Sequence, residues 1–389
     1  MRIWVFTFEY GPTIIGGLGV VATRLSQALA ELGHQVTVFT RAAGPPGMTQ
    51  DAGISVVHVP TRAPYYHIRR RRYQVDPLVR LADQLHLHPP DVIHVHSVPF
   101  TNVALHLGQR FGAPVVYTCH SLVRDEPQGP VQSRVQHRQE RLLHRCHHVI
   151  VPSEWQLRSL VEAYPACRER VSVIANGVDL PEGARLATLA TLAAERSGSQ
   201  GLRLLFAGRL VPEKGIDSLI RAVTVLRRRG FPVVLDVVGS GPSAYERHLR
   251  QLARRLRVAQ HIRWLGFHAP SEMPRVYLSH DLVVMPSRQE SFGLVALEAM
   301  AHGVPLVSTR AGGLADFVDR QVAEIIPRTT GLAVASAVQR LVSRPRHLVS
   351  RVEAARHRAE RFCWKNVAER HVHLFESLHQ RMMDTTSAP

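Results

Sequence analysis

Glu290 and Glu298 stand eight residues apart in the stretch 286–298, Pro-Ser-Arg-Gln-Glu-Ser-Phe-Gly-Leu-Val-Ala-Leu-Glu. The apolar run 282–285 leads in as a strand, and a helix is expected to open near Phe292. Two fully helical positions at that spacing lie about 12 Å apart along the axis and roughly 80° around it. The paired carboxylates of a glycoside hydrolase are closer, at roughly 5–9.5 Å. The spacing suits instead a ligand lying along the helix start, with hydroxyls at both ends and an anion in the middle. The first-turn N–H groups at Phe292, Gly293 and Leu294 would receive that anion, and Gly293 lets the backbone approach closely. A nucleotide sugar has this layout: sugar, pyrophosphate, ribose.

Other residues could add charge to such a site. Arg209 and Lys214 lie in Gly208-Arg-Leu-Val-Pro-Glu-Lys-Gly215, directly after a strand. Two cations there would neutralise a pyrophosphate leaving group, or they are ordinary charges of a solvated loop. Gly16-Gly17-Leu18-Gly19 could cradle phosphate at a strand–helix junction; a plain tight turn explains it equally. His96 and His120 end neighbouring strands, where a structural hydrogen-bonded role competes with a catalytic one. With no H-E-x-x-H, no D-x-D and no clustered carboxylates, no metal site is expected. Asn176-Gly-Val-Asp179 reads as a turn or an interdomain hinge. Arg69-Arg-Arg-Arg72 reads as a solvated run, or as a patch for an acidic membrane or an anionic acceptor.

The elements that must position these residues alternate. Strands are expected at 2–8, 35–40, 54–59, 91–96, 114–119, 148–152 and 171–174, with helices after Gly19 and at 76–87, 101–111 and 131–145. Residues 180–200 are alanine-rich and flanked by Pro-Glu-Gly and Ser-Gly-Ser-Gln-Gly, a linker composition. The pattern then restarts, with strands at 202–207, 233–238, 262–265, 282–285 and 305–308 and helices at 215–229 and 243–257. The expected fold is α/β: two doubly wound, Rossmann-like halves whose strand ends face each other across a cleft. The domains are expected at 1–179 and 202–362, with the linker at 180–201 and a last helix within 363–389.

Composition narrows the class. The chain has 389 residues, 45% of them hydrophobic, and a net charge of +17, which favours anionic partners; arginine enrichment alone would give the same charge. Four cysteines without a C-x-x-C fit a reducing cytoplasm rather than a disulfide framework. No signal peptide and no apolar run near 18 residues is seen. Nucleic acid is not expected as a partner: no helix-turn-helix or zinc spacing is present, and aromatics are only 6%.

Taken in order, G-G-L-G, H-S, N-G-V-D, G-R-L-V-P-E-K-G, E-S-F-G-L-V-A-L-E and A-G-G resemble glycosyltransferase family 4, the retaining enzymes of the GT-B fold. Glu9-Tyr-Gly-Pro12 before Gly16 and Gly17 is similar to the glycogen and starch synthase branch, although Ile15 stands where that branch carries a lysine. The resemblance implies a hexosyltransferase of the EC 2.4 type, with a nucleoside diphosphate sugar as donor substrate and no metal or other cofactor. It implies that Arg209 and Lys214 bind the diphosphate, that Glu298 holds the ribose, and that Glu290 faces the donor sugar. Ser291, Phe292, Gly293 and Leu294 would contact sugar and phosphate, Gly16 and Gly17 would close on the phosphates, and His120 would lie near the reacting carbon. The last helix would cross back to the first domain. Two departures stand out: Glu324 takes the place of a family glycine, and Asp316 that of a commoner glutamate. The acceptor is expected to be a carbohydrate, a lipid-linked sugar or a small molecule. Rival readings are a nucleotide-sugar epimerase or hydrolase on the same fold, and a basic nucleic-acid-binding protein.

Overall fold

A computed structural model describes residues 1–125, 130–181 and 201–387. The chain forms two compact units, one of residues 1–177 with 364–389 and the other of 178–363. It passes between them two residues earlier than the turn at 176–179 suggests. The expected linker at 180–201 falls almost wholly outside the described residues.

In the first unit the strands are β1 (Arg2–Phe6), β2 (Gln35–Ala42), β3 (Gly47–Asp51), β4 (Ile54–Pro60), β5 (Tyr66–His67), β6 (Arg72–Tyr73), β7 (Val92–Val95), β8 (Val115–Thr118), β9 (His148–Val151) and β10 (Val171–Val173). The helices are α1 (Gly17–Glu31), α2 (Val75–Gln84), α3 (Thr101–Phe111), α4 (Pro130–Arg145) and α5 (Glu154–Ala163). Eight strands order as β10-β9-β8-β7-β1-β2-β4-β3, all parallel except β3, which pairs antiparallel with β4. Near-continuous apolar strands such as Ile3-Trp-Val-Phe6 are what a sheet covered on both faces requires; all four are buried. The core is stapled by stacked rings, Phe6 on Phe39 at 4.5 Å and Tyr73 on Phe100 at 4.1 Å. Strand order reverses at β1 and β7, so the loops after them meet: the N–H groups of His96 and Ser97 reach the Phe6 carbonyl, and Ser97 Oγ accepts from Phe8 N–H at 2.8 Å. The Arg69–Arg72 run lies at the tip of a small hairpin, β5 paired with β6, which the sequence pattern leaves as a loop.

The second unit holds β11 (Leu202–Ala207), α6 (Ile216–Arg228), β12 (Val233–Val238), α7 (Ser243–Arg255), β13 (Ile262–Gly266), α8 (Met273–Leu278), β14 (Leu282–Met285), α9 (Leu294–Ala301), β15 (Leu306–Ser308), β16 (Glu324–Ile325), α10 (Gly331–Val342) and α11 (Pro345–Glu360). Its six-stranded sheet runs β13-β12-β11-β14-β15-β16, parallel throughout. Here the order reverses between β11 and β14, so the loops 208–215 and 286–293 share the crevice that open α/β sheets use for ligands.

The last helix, α12 (Trp364–Ser387), belongs to the first unit. Phe375 is fully buried there against His94, His379 bonds the Asp91 carbonyl at 3.0 Å, and Arg370 reaches the Val173 carbonyl at 2.8 Å. Gly177 packs on the Trp364 ring so closely that any Cβ would lie 2.4 Å from it. Among the described residues no helix is long and apolar enough to cross a membrane.

Candidate active site

The residues expected to hold a nucleotide sugar converge where β11 and β14 end. β11 terminates at Gly208 and the chain turns under Arg209, which is exposed. Two backbone hydrogen bonds, Gly208 N–H to the Val238 carbonyl and Leu210 N–H to that of Ser240, fix the turn against the loop after β12. Gly239 and Gly241 permit this contact, since a Cβ on either would stand about 2 Å from a carbonyl oxygen of the facing turn. At the turn's far end Gly215 has φ +68° and lies against the Pro286 carbonyl, which brings Lys214 to the loop after β14.

Lys214 Nζ lies 2.6 Å from Glu290 Oε2, and Ser287 Oγ donates to Glu290 Oε1 at 3.0 Å. Glu290 is only 6% exposed, so its charge needs this cation. Its backbone is fixed as well: the Glu290 carbonyl accepts from Gly313 N–H at 2.9 Å and touches Gly312, whose φ of +59° leaves no room for a side chain. The Ala311-Gly312-Gly313 motif therefore positions Glu290. Arg288 joins the two loops: its N–H bonds the Glu213 carbonyl at 2.7 Å, and its guanidinium grips Asp217 with two contacts of 2.9 Å.

The helix beyond opens at Leu294, two residues later than the apolar pattern suggests, with Gly293 (φ +106°) as its N-cap. The 12 Å helical estimate therefore does not apply, because Glu290 to Gly293 are not helical. The Phe292 side chain points into the core, 5.0 Å from Phe317, so this residue can offer a ligand only its backbone. Glu298 lies one turn into α9. Tyr277 OH donates to its Oε2 at 2.5 Å. Burial pushes the Glu298 carboxyl up to about 7, the Tyr277 hydrogen bond pulls the other way, and the Asp179 charge adds to the rise. Neither Tyr277 nor Asp179 carries a sequence signal for this role; Tyr277 sits in a one-and-a-half-turn helix that the periodicity does not reveal.

The departures from the family pattern have structural partners. Glu324 is held by Arg340 at 2.7 Å and Arg351 at 2.6 Å, a buried carboxylate on two cations. Asp316 closes the short turn Gly312–Asp316.

The remaining candidates belong to the first unit. Glu9 Oε2 accepts from Ile15 N–H at 2.9 Å and Gly16 N–H at 3.0 Å, so the glycine turn already holds a carboxylate. Gly19 makes room for it, since a Cβ there would lie 2.8 Å from Glu9. Gly16 is thereby committed to Glu9, and the first-turn N–H groups of α1, from Gly17 on, face outward from the helix start. His120 follows β8 and bonds His96, Nε2 to Nδ1, at 3.0 Å; burial and the nearby His371 push it down to about 4. It is a neutral imidazole at pH 7. Among the described residues no group of three or more His, Cys, Asp or Glu side chains is placed to hold a metal ion.

The comparisons identify the family and the fold. Residues 15–182 match the model of Glycosyltransferase Family 4 and residues 201–344 that of Glycosyl transferases group 1. The D-inositol 3-phosphate glycosyltransferase of Saccharomonospora viridis is 30% identical over 388 residues, covering 92% of this chain and 88% of that protein. The glycogen synthase of Mycobacterium tuberculosis is 30% identical over 405 residues, covering 95% and 92%. The sucrose-phosphate synthase of Thermosynechococcus elongatus has the same fold, with a TM-score of 0.78, 22% identity and coverage of 98% and 99%. Two sheets, parallel but for β3, and a last helix returned to the first unit give the GT-B fold, and the chain belongs to glycosyltransferase family 4.

Proposed function

We propose that this glycosyltransferase moves a hexosyl group from a nucleoside diphosphate sugar to an acceptor hydroxyl with retention of anomeric configuration. The observation that carries the reading is the Lys214–Glu290 pair, set at the ends of β11 and β14 beside the start of α9. In the reaction the bond from the anomeric carbon to phosphate oxygen breaks. The acceptor oxygen bonds to that carbon from the same face, and the acceptor proton leaves with the phosphate. Lys214, Arg209 and the free N–H groups at α9 hold the charge that develops on the diphosphate. Both Glu290 oxygens are engaged, so it serves the sugar through charge and hydrogen bonding rather than as a covalent nucleophile. Glu298 takes the ribose. His120, being neutral, can hydrogen-bond a sugar hydroxyl without bringing charge. Cationic side chains supply the diphosphate's counter-charge, so turnover is expected to persist in EDTA.

A second observation bears on the acceptor. Arg72 Nε and Arg138 Nε and Nη2 are buried without a hydrogen-bond partner. Burial and the neighbouring Arg72 and Arg134 push the Arg138 guanidinium down, against the pull of Tyr66. Cations gathered this way fit an acceptor bearing a phosphate; the Saccharomonospora viridis relative is named for D-inositol 3-phosphate. The tip of the same hairpin has an exposed Ile68 beside Arg69, Arg70 and Arg71. It suits a peripheral contact with an acidic membrane from the cytoplasmic side, at about 1 kcal/mol per basic residue.

A thermal-shift panel of UDP, GDP and ADP sugars tests the donor. A ligand at 100 times its Kd stabilises by about 2.7 kcal/mol, and no shift with any of them overturns the reading. With the donor known, NMR of the product's anomeric centre decides retention, and steady release of free sugar without acceptor would favour a hydrolase. Sedimentation with acidic liposomes at low salt, unchanged by Arg→Ser at 69–71, would refute the membrane contact.

A further inference from the structure

A second cavity, of about 450 Å³, opens at the carboxyl ends of β14, β15 and β16, beside the switch point that holds Lys214. Its polar wall consists of Ser287, Arg288, Thr309, Arg310, Arg328 and Thr329, and no Asp or Glu lines it. Of the three arginines, Arg288 is balanced by Asp217. Arg310 is held by the carbonyls of Val318 at 2.9 Å and Ala315 at 3.2 Å, which orient the guanidinium and cancel none of its charge. Arg328 is exposed, and among the described residues its side chain has no hydrogen bond or ion pair. The acidic residue of β16, Glu324, is already shared by Arg340 and Arg351. The cavity thus presents two uncompensated guanidinium groups and three hydroxyls to one space. Guanidinium forks match the oxygens of a phosphate; the Ser287 and Thr309 hydroxyls already donate to Glu290 and to the Ser287 carbonyl, which leaves the Thr329 hydroxyl to donate to the rest.

This cavity shares a wall with the donor loops. Ser287 bonds Glu290 Oε1, Thr309 Oγ1 bonds the Ser287 carbonyl at 2.8 Å, and Arg288 clamps the Lys214 loop through Glu213 and Asp217. An anion in the cavity competes with Asp217 for Arg288 and with Glu290 for the Ser287 hydroxyl.

We propose that this cavity is a second anion site, for inorganic phosphate or a phosphate monoester, and that its occupant alters turnover at the donor site. The site itself stands on its lining; the effect on turnover rests on the donor-site reading above. The test titrates orthophosphate into the full chain by calorimetry at constant ionic strength, with the donor site filled by whichever of UDP, GDP or ADP binds. Saturable phosphate binding that persists under excess nucleotide is expected. Arg328→Gln should weaken it roughly tenfold and Arg328→Glu more, the loss of one charge-assisted contact, with nucleotide affinity unchanged in both. Arg328 has no partner to lose, so neither variant threatens folding. Phosphate displaced competitively by nucleotide, or bound equally by Arg328→Glu, would overturn the site. A parallel titration with glucose 6-phosphate identifies the source: tighter binding than orthophosphate assigns an ester, equal or weaker binding assigns the free ion. Saturating ligand should change kcat at least twofold in the parent chain and not in Arg328→Glu; unchanged kcat in the parent refutes the regulatory half. If no nucleotide binds at all, the donor reading fails, while the Arg328 variants still decide the anion site.

Discussion

At the switch point of the second domain the carboxylates are partnered before any ligand arrives: Glu290 by Lys214, Asp217 by Arg288 and Glu298 by a tyrosine hydroxyl. At the strand ends of the first domain, the buried polar groups are neutral rings. His94, His96 and His120 cluster there with His371 from α12, while Arg72 and Arg138, near the hairpin, keep buried donors without partners. A paired site can exchange its internal partners for those of a ligand at little cost. Unpartnered guanidinium donors cost stability until an anion satisfies them. On the proposed reading, the second domain holds the ligand part that every donor shares, the diphosphate and ribose. On the same reading, the first domain selects the acceptor.

The largest effect should come from breaking the paired side. Lys214→Ala is expected to lower kcat by roughly 10²–10³, about 2.7–4 kcal/mol of barrier. It also strands the buried Glu290 charge, which destabilises the fold. The double variant Lys214→Ala/Glu290→Gln separates the two consequences: its melting temperature should recover while turnover stays low. Turnover near that of the parent chain in Lys214→Ala would remove the basis of the donor-site assignment.

Arg138→Gln probes the unpaired side. The acceptor's KM should rise roughly tenfold to a hundredfold, the scale of a hydrogen bond to a charged group at 1.5–3 kcal/mol. Donor affinity should not change, and thermal stability should hold or improve, because a half-buried cation has been removed. Steady-state kinetics with each substrate varied in turn would show it; a rise in donor KM alone would mean that the contrast between the domains is wrongly drawn.

Tyr277→Phe acts more gently on the second domain. In the proposed donor site the ionised Glu298 accepts from ribose hydroxyls more strongly than the neutral acid, and burial raises its carboxyl to about 7. Donor affinity is therefore expected to fall as pH drops below about 7. Removing the hydroxyl that holds the carboxyl down moves the fall to higher pH and costs up to about tenfold in affinity at neutral pH. Donor Kd measured at pH 6, 7 and 8 would check both, and identical profiles in the two proteins would clear Tyr277 of any part in ribose binding.

The same contrast explains what was legible in the sequence. Most strand and helix order was readable up to β15, because buried parallel strands are unbroken apolar runs and Gly208, Gly215 and Gly293 mark their exits; α10 and α11, beyond it, were not placed. Short elements were not: the hairpin around Arg69–Arg72, β16 and α8 have two to six residues and too little periodicity to register. The proposed donor residues were legible because they fall in two local segments, 208–215 and 290–298. Tyr277 was not, and the contacts of Asp179 and Gly312, though both lie in quoted motifs, were not either, because these residues reach those segments through folding alone. The first domain's polar cluster joins His94 to His371 across 277 positions, a distance no local pattern spans.

The smallest effect concerns stability in the first domain. Burial holds His94 and His96 well below the ordinary histidine range and His371 at about 4. The folded values lie below the unfolded one, so the folded chain binds fewer protons. Their contribution is fully present above about 6.5 and is lost as pH falls below it, at about 1.4 kcal/mol per pH unit for each buried ring. Ionised Glu298 gives the opposite slope in the second domain: its folded value is raised, so its neutral form stabilises at low pH and that benefit is lost as pH rises toward 7. Calorimetric scans of the full chain between pH 7.5 and 5.5 should therefore show the first domain losing stability on acidification. In His371→Leu the pH slope should shrink by about one proton's worth, because an apolar side chain in the same place between His94 and Phe375 has nothing to protonate. An unchanged slope would mean that the helix returned to the first domain is not held by neutral histidines.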